Sequence, residues 1–225
     1  MSAIIRANNI VKYYGDSQNQ QLVLDNVSIE IITGSFTAVA GTSGAGKSTL
    51  LSIMGGIEKA TSGEVLFNDC AIHELDENKL ASIRNQHFGF IFQSPHFVPY
   101  KSLIENVMLP SHYQHKVSEK ELVTKAESLL DSVGLLKHKN KSPALLSGGE
   151  QQRMSFARAL MLEPDIIFAD EPTANLDHKN SEILLTQLRA LTKQSKTIVL
   201  VSHDPQAIEY ADSVHYLDKR EHSFV

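Results

Sequence analysis

The stretch GTSGAGKS at residues 41–48 brings together the residue types that phosphate chemistry requires. Gly41, Thr42, Ser43, Gly44, Ala45 and Gly46 form a glycine-rich run whose backbone can curl with successive N–H groups turned inward, making a nest for an anion. A helix opening at Ser48 would add the partial positive charge of its N-terminus. Lys47 is then expected to reach the β- and γ-phosphates of a nucleoside triphosphate, Ser48 to ligate Mg²⁺, and Thr49 to meet the α-phosphate.

A second chemical feature lies far along the chain. The run IIFADE at 166–171 is an apolar strand signal that delivers two acids at its end. Ligands bind at the carboxyl edge of parallel sheets. Asp170 is expected to hold Mg²⁺, directly or through water. Glu171 is expected to orient or deprotonate an attacking water as a general base. Taken alone, such a pair is equally a surface cap on a strand; the phosphate-binding loop in the same chain favours the catalytic reading.

The third feature is LSGGEQ at 146–151. Ser147 can cap a following helix, and Glu150 three residues on completes a capping box. Met154, Phe156, Ala157 and Leu160 give that helix a buried side. Gly148 and Gly149 leave its first amides uncovered, an electropositive tip suited to a γ-phosphate. The glycine loop already serves that phosphate within one chain. The tip therefore makes most sense acting on the nucleotide of a second copy.

These residues need elements to hold them. Residues 3–14 and 22–32 alternate apolar and polar as half-buried strands do, with the polar stretch 15–21 as the loop between them. Residues 35–40 form a strand leading into the glycine loop, and 48–54 a helix that stops at Gly55 and Gly56. Further strands are expected at 87–93, 165–170 and 196–202, with an amphipathic helix at 179–194. Between 94 and 160 the pattern changes to helices broken by prolines, an inserted helical subdomain. Strands alternating with helices predict an α/β fold with a mainly parallel sheet covered on both faces.

The chain has 225 residues, 42% apolar and 21% charged, enough for one α/β domain with a small appended subdomain. Its net charge of −5 argues against binding nucleic acid or anionic lipid. The single cysteine, Cys70, cannot form an internal disulfide, which suits a reducing compartment, and it is expected to be packed or half-exposed. The apolar runs are strand length, short of a membrane span, and the N-terminal residues lack a secretory pattern. His112 and His115 are spaced like a metal pair, but without a carboxylate or cysteine nearby they read as a solvated loop.

Over essentially its whole length the chain resembles the nucleotide-binding subunits of ABC transporters. Within them it is most similar to the LolD/MacB/FtsE group, through GFIFQ, LSGGEQQR and ADEPTANLD. The resemblance implies a P-loop NTPase core of the RecA type with an antiparallel β subdomain, residues 1–93 and 161–225. Residues 94–160 would form the inserted α-helical subdomain with the signature motif, the whole 1–225 being one ATPase domain. It implies that Tyr14 stacks on adenine, with Tyr13 as the alternative, and that Gln93 senses Mg²⁺ and the attacking water. Asp177 would couple two sites across a dimer, and His203 would contact the γ-phosphate. Ala174 stands where the group usually has Gly or Ser, a mild departure.

Function follows from the same resemblance: ATP and Mg²⁺ bound and hydrolysed in a homodimer whose signature residues Ser147, Gly148, Gly149 and Glu150 act in trans. The dimer would drive a transmembrane permease of the MacB/FtsX/LolCE type from the cytoplasmic face of the membrane, touching the membrane only through that permease. The alternatives are the ATPase of another ABC class, such as an importer, or a soluble ABC ATPase. The segment 95–110, with Phe97, Val98 and Tyr100 read as exposed, is expected to supply a docking groove for the permease.

Overall fold

The computed structural model describes residues 2–16, 19–113 and 117–218. The chain opens with a long antiparallel pair, β1 (Ala3–Tyr14) and β2 (Gln21–Ile32). It passes through β3 (Phe36–Gly41) into the glycine loop and α1 (Lys47–Met54). Strands β4 (Ser62–Phe67) and β5 (Cys70–Ala71) then complete a four-stranded antiparallel sheet in the order β2-β1-β4-β5.

The next elements are α2 (Glu77–His87) and β6 (Phe88–Ile91), followed by the helices α3 (Leu103–Met108), α4 (Glu119–Ser132) and α5 (Gly148–Ala159). The chain then alternates β7 (Ile166–Asp170), α6 (His178–Thr192), β8 (Thr197–Val201), α7 (Pro205–Ile208) and β9 (Ser213–Leu217). The second sheet is parallel throughout, in the order β6-β7-β8-β3-β9.

The central strands explain why their sequences read as unbroken apolar runs. Every residue of β8 is buried, and in β7 only Asp170 is partly exposed. Successive side chains enter opposite cores. Ile167, Ala169, Ile198 and Leu200 face the cluster built with α3, α4, α5 and α6. Ile166, Phe168, Val199 and Val201 face the cluster shared with α1 and the antiparallel sheet. Helix α6 seals the first core through Leu184, Leu185, Leu188 and Leu191, one stripe of its surface.

Each expected strand and helix named above is present, with ends that differ by a residue or two. Five elements were not anticipated, one of them the single-turn helix α7. β4 begins with three exposed residues, β5 has only two residues, and β9 is an edge strand with no fully buried residue. Helix α2 buries Leu80 alone, so its sequence carries no apolar stripe. Cys70 is exposed, contrary to the expectation of a packed or half-exposed thiol, because the short strand β5 sits at the sheet's edge. No helix among the described residues is long and apolar enough to cross a membrane.

Candidate nucleotide site

The glycine loop sits between the carboxyl end of β3 and α1. Gly46 precedes the helix with φ 88°, a left-handed conformation that favours glycine. This turn directs the first amides of α1 towards the loop. Lys47 is buried, 6% exposed, and its ammonium bends back to donate to the carbonyls of Gly41 and Thr42 at 3.0 and 2.9 Å. The cation is thus held over the loop that a triphosphate would enter.

Helix α1 also presents Ser48, whose hydroxyl donates to Asp170 Oδ1 at 2.8 Å. Two of the three expected Mg²⁺ ligands, 122 positions apart in sequence, therefore meet. Both are hard oxygen donors, the chemistry that Mg²⁺ takes along with phosphate oxygens and water. Burial raises the Asp170 carboxyl above its ordinary value. The neighbouring Glu171 charge adds to this, while Ser48 and Lys47 oppose it. A cation here would relieve that penalty. Among the described residues no group of three or more His, Cys, Asp and Glu could hold a metal. The fit to Mg²⁺ therefore rests on this serine and aspartate.

Glu171 follows directly and adopts φ 43°, an uncommon conformation for a residue with a side chain. Its amide donates to the carbonyl of Val201, which extends the parallel β7–β8 ladder past Asp170. The carboxylate is 11% exposed and lies 2.7 Å from His203 Nδ1. With the Nδ1 proton committed to Glu171, the Nε2 edge of the 65%-exposed imidazole is left for another partner. Ser202, fully buried, donates its hydroxyl to the other carboxylate oxygen at 3.3 Å. Two residues at the end of β8 thus set the orientation of the acid. The expectation drawn from sequence included His203 but not Ser202.

The signature helix begins as its residue types require. Ser147 Oγ accepts from the Glu150 amide, and Glu150 Oε2 accepts from both the amide and the hydroxyl of Ser147. The Ser147 amide and hydroxyl hold the Glu150 carboxyl below the ordinary glutamate range. A hollow of about 320 Å³ lies at this tip, lined by Ser147, Gly149, Glu150, Asn175, Leu176 and Asp177 among others. No described residue of 41–49 lines it. Asp177 caps α6 through the Asn180 amide at 2.8 Å, and Asn180 in turn accepts from Arg153 of α5. The structure therefore places Asp177 beside the signature tip.

Gln93 follows β6 and is exposed. Its carbonyl accepts from the Asn175 side chain at 3.4 Å, and its own side chain makes no hydrogen bond to Ser48 or Asp170. Two side chains of α5 bracket it: Gln152 donates to the Phe92 carbonyl at 3.2 Å and Arg158 to the His96 carbonyl at 2.6 Å. Gln152 lies within LSGGEQQR but was given no role there, and Arg158 had no recognisable sequence signal. Phe97 and Val98, expected to be exposed, are half-buried. Phe97 packs against the Arg158 guanidinium, 4.8 Å from its ring centroid, and Asn106 hydrogen-bonds both backbone groups of Val98. Only Tyr100 of the three is open, at 87%. His112 Nδ1 lies near the carbonyls of Met108 and Leu109, and His115 falls outside the described residues.

An anion loop beside a serine–aspartate pair, a glutamate–histidine pair at the neighbouring strand ends and a separate capped helix tip are the parts of a nucleotide-hydrolysing cassette. The ABC transporter family model matches residues 24–174. The chain is 42% identical over 202 residues to the lipoprotein-releasing system ATP-binding protein LolD of Saccharophagus degradans, covering 89% of this chain and 88% of that protein. It is also 42% identical over 214 residues to the macrolide export ATP-binding/permease protein MacB of Pasteurella multocida. That match covers 94% of this chain but only 32% of the longer relative. Among solved structures, the dimeric bacterial ABC transporter cassette MJ0796 superposes with a TM-score of 0.90 at 37% identity, over 95% of this chain and 94% of that one. The dimeric post-hydrolysis state of MJ0796 bound to ADP and Pi matches with the same TM-score at 35% identity, over 96% and 97%. The chain belongs to the ABC transporter family, as an ATP-hydrolysing cassette of the LolD/MacB type.

Proposed function

We propose that two copies of this chain sandwich two ATP·Mg²⁺ head to tail and drive a permease of the MacB/FtsX/LolCE type from the inner face of the membrane. The observation that carries this reading is the separation of parts. The phosphate loop, the Ser48–Asp170 pair and Glu171 lie together, while the Ser147 tip opens into a hollow lined by no residue of that loop. A tip with free amides and no nucleotide of its own suits a second copy's γ-phosphate.

In this reading the loop amides and Lys47 bind and orient the triphosphate. Ser48, Asp170 and Gln93 would hold Mg²⁺, which would supply positive charge to offset that of the phosphoryl group. Glu171 takes the proton of the attacking water while His203 keeps its carboxylate in place. Asp177, next to the partner-facing tip, links the two sites. The work is positioning and charge stabilisation, without a covalent intermediate. Residues 94–160 act as the unit that carries the tip and one wall of the docking surface.

The permease contact falls on a groove of about 1200 Å³ between α2, β6, α5 and the segment after α3, lined by Ile57, Phe90, Phe92, Leu109 and Tyr113 among others. Ile57 and Tyr113 are exposed at 46% and 79%. An apolar groove of this kind suits a short amphipathic helix. Steady-state phosphate release with ATP and Mg²⁺ tests the enzyme. Co-purification with a MacB/FtsX/LolCE-type permease tests the partner. Ile57→Glu and Tyr113→Glu are expected to keep basal hydrolysis and lose the permease, and undiminished co-purification by both variants rejects the groove.

A further inference from the structure

At the edge of the nucleotide site Tyr14 is held by Lys12 and Glu58, two residues that no recognised motif includes. Tyr14 ends β1 and donates its hydroxyl to Glu58 Oε2 at 2.7 Å. The other oxygen of Glu58 lies 2.8 Å from Lys12 Nζ. Lys12 also donates to the Lys59 carbonyl at 2.8 Å, and its ammonium stands over the Tyr14 ring, 4.9 Å from the centroid. The Tyr14 hydroxyl is 3.4 Å from Thr49 Oγ1 on α1.

This cluster fastens the end of β1 to the phosphate helix. Glu58 lies in the turn after α1, where its own amide and that of Ile57 both donate to the Ser52 carbonyl. Its carboxyl is held below the usual glutamate range: burial opposes this, but the hydrogen bonds from Lys12 and Tyr14 outweigh it. Burial and the Glu58 hydrogen bond push the Tyr14 phenol up. The phenol thus stays a proton donor and the carboxylate an acceptor. Tyr13 is about as exposed, 38% against 40% for Tyr14, but among the described residues its hydroxyl has no comparable anchor; its amide donates to Thr61 Oγ1.

We propose that Glu58 and Lys12 are positioning residues for the nucleotide base: Lys12 covers one face of Tyr14, Glu58 fixes its hydroxyl, and the opposite face is held out as the stacking platform. This rests on the reading of Tyr14 as the base-stacking aromatic, and it selects Tyr14 over Tyr13. A ring with a fixed hydroxyl and one covered face has lost its rotational freedom before the nucleotide arrives. The base then stacks without paying for that ordering. A cation over an aromatic face adds a further restraint on the ring.

The test compares a ligand with a base and one without. Binding of ADP and of inorganic tripolyphosphate, both with Mg²⁺, is measured for wild type, Glu58→Ala, Tyr14→Phe, the double variant and Tyr14→Ala. Glu58→Ala is expected to weaken ADP by about three- to tenfold, the scale of a partly exposed hydrogen bond to a charged group, and to leave tripolyphosphate unchanged. Tyr14→Phe should match it, and the double variant should be no weaker than either single change. Glu58→Gln, which keeps an acceptor, should recover part of the loss.

Wild-type ADP affinity in Glu58→Ala, equal loss for ADP and tripolyphosphate, or additive losses in the double variant would each overturn the proposal. If Tyr14→Ala binds ADP normally, the stacking role itself fails and the proposal with it. If Tyr14→Ala weakens ADP while Glu58→Ala does not, stacking stands and the anchor alone is rejected.

Discussion

Replacing Gly46 by alanine isolates the close approach that shapes the phosphate loop. Gly46 has φ +88°, and a Cβ there would lie 2.8 Å from the Val23 carbonyl and 2.7 Å from Leu24 Cδ2 on β2. Gly134, after α4, offers a control with φ +72° and nothing within 4 Å of the added atom. A left-handed conformation costs an alanine about 1–2 kcal/mol, offset by about 0.4–1 kcal/mol from the stiffer unfolded chain. Gly134→Ala should therefore cost about 0.5–1 kcal/mol.

Gly46→Ala carries the same backbone cost plus about 1–3 kcal/mol of overpacking against β2, about 1.5–4 kcal/mol in all. At about 2–4 °C per kcal/mol for a chain of this size, Tm should fall by about 1–4 °C in the control and about 3–16 °C at Gly46. The loop must also move off β2, so ADP binding should weaken by about tenfold or more, over 1.4 kcal/mol, only in Gly46→Ala. Thermal unfolding and ADP titration measure both. Equal Tm losses in the two variants, with wild-type ADP affinity at Gly46→Ala, would refute the reasoning.

Glu171→Gln keeps the shape of the side chain and removes the base, so ATP binding should persist while turnover falls about 10²–10⁴-fold; an unchanged rate in a phosphate-release assay would reassign the base. Ser202→Ala should lower kcat by about three- to tenfold at constant KM, because Glu171 loses its second donor; a change in KM alone would contradict this. Asp212 is chelated by Arg189 and accepts from the Phe36 amide. The Arg189 hydrogen bonds lead in depressing its carboxyl, so its contribution is complete above the unfolded value near pH 3.9 and is lost as pH falls through the lower folded value. Asp212→Asn should cost about 1 kcal/mol near neutral pH, after allowance for solvent screening, and flatten stability below about pH 4 in denaturant titrations. An unaltered acid limb would remove Asp212 from that account.

What was legible in the sequence follows from local physics. The loop at 41–48, the capping box at Ser147 and Glu150, and the apolar runs of β7 and β8 each announce themselves within a few residues. The pairing of Ser48 with Asp170 followed from motif chemistry rather than proximity in the chain. Elements with little burial left no such mark: α2 hides one side chain, and β9 lies at the sheet's edge. Long-range polar contacts were invisible for a different reason. Glu58 meets Tyr14 across 44 positions because the turn after α1 lies beside the end of β1, and neither residue type signals the other. Phe97 read as a surface residue because its partner, Arg158, is 61 positions further along on another helix.

The shared pocket is tested most directly by mixing two crippled chains. Lys47→Ala destroys the phosphate loop of its own chain, and Ser147→Arg blocks the tip that serves a second copy. Each alone should be inactive. Mixed, with subunits exchanging, they should recover hydrolysis, because a dimer of the two pairs the intact loop of one chain with the intact tip of the other. If the mixture stays as inactive as its components, although mixed dimers are detected by native mass spectrometry, the two halves of the site do not come from different chains.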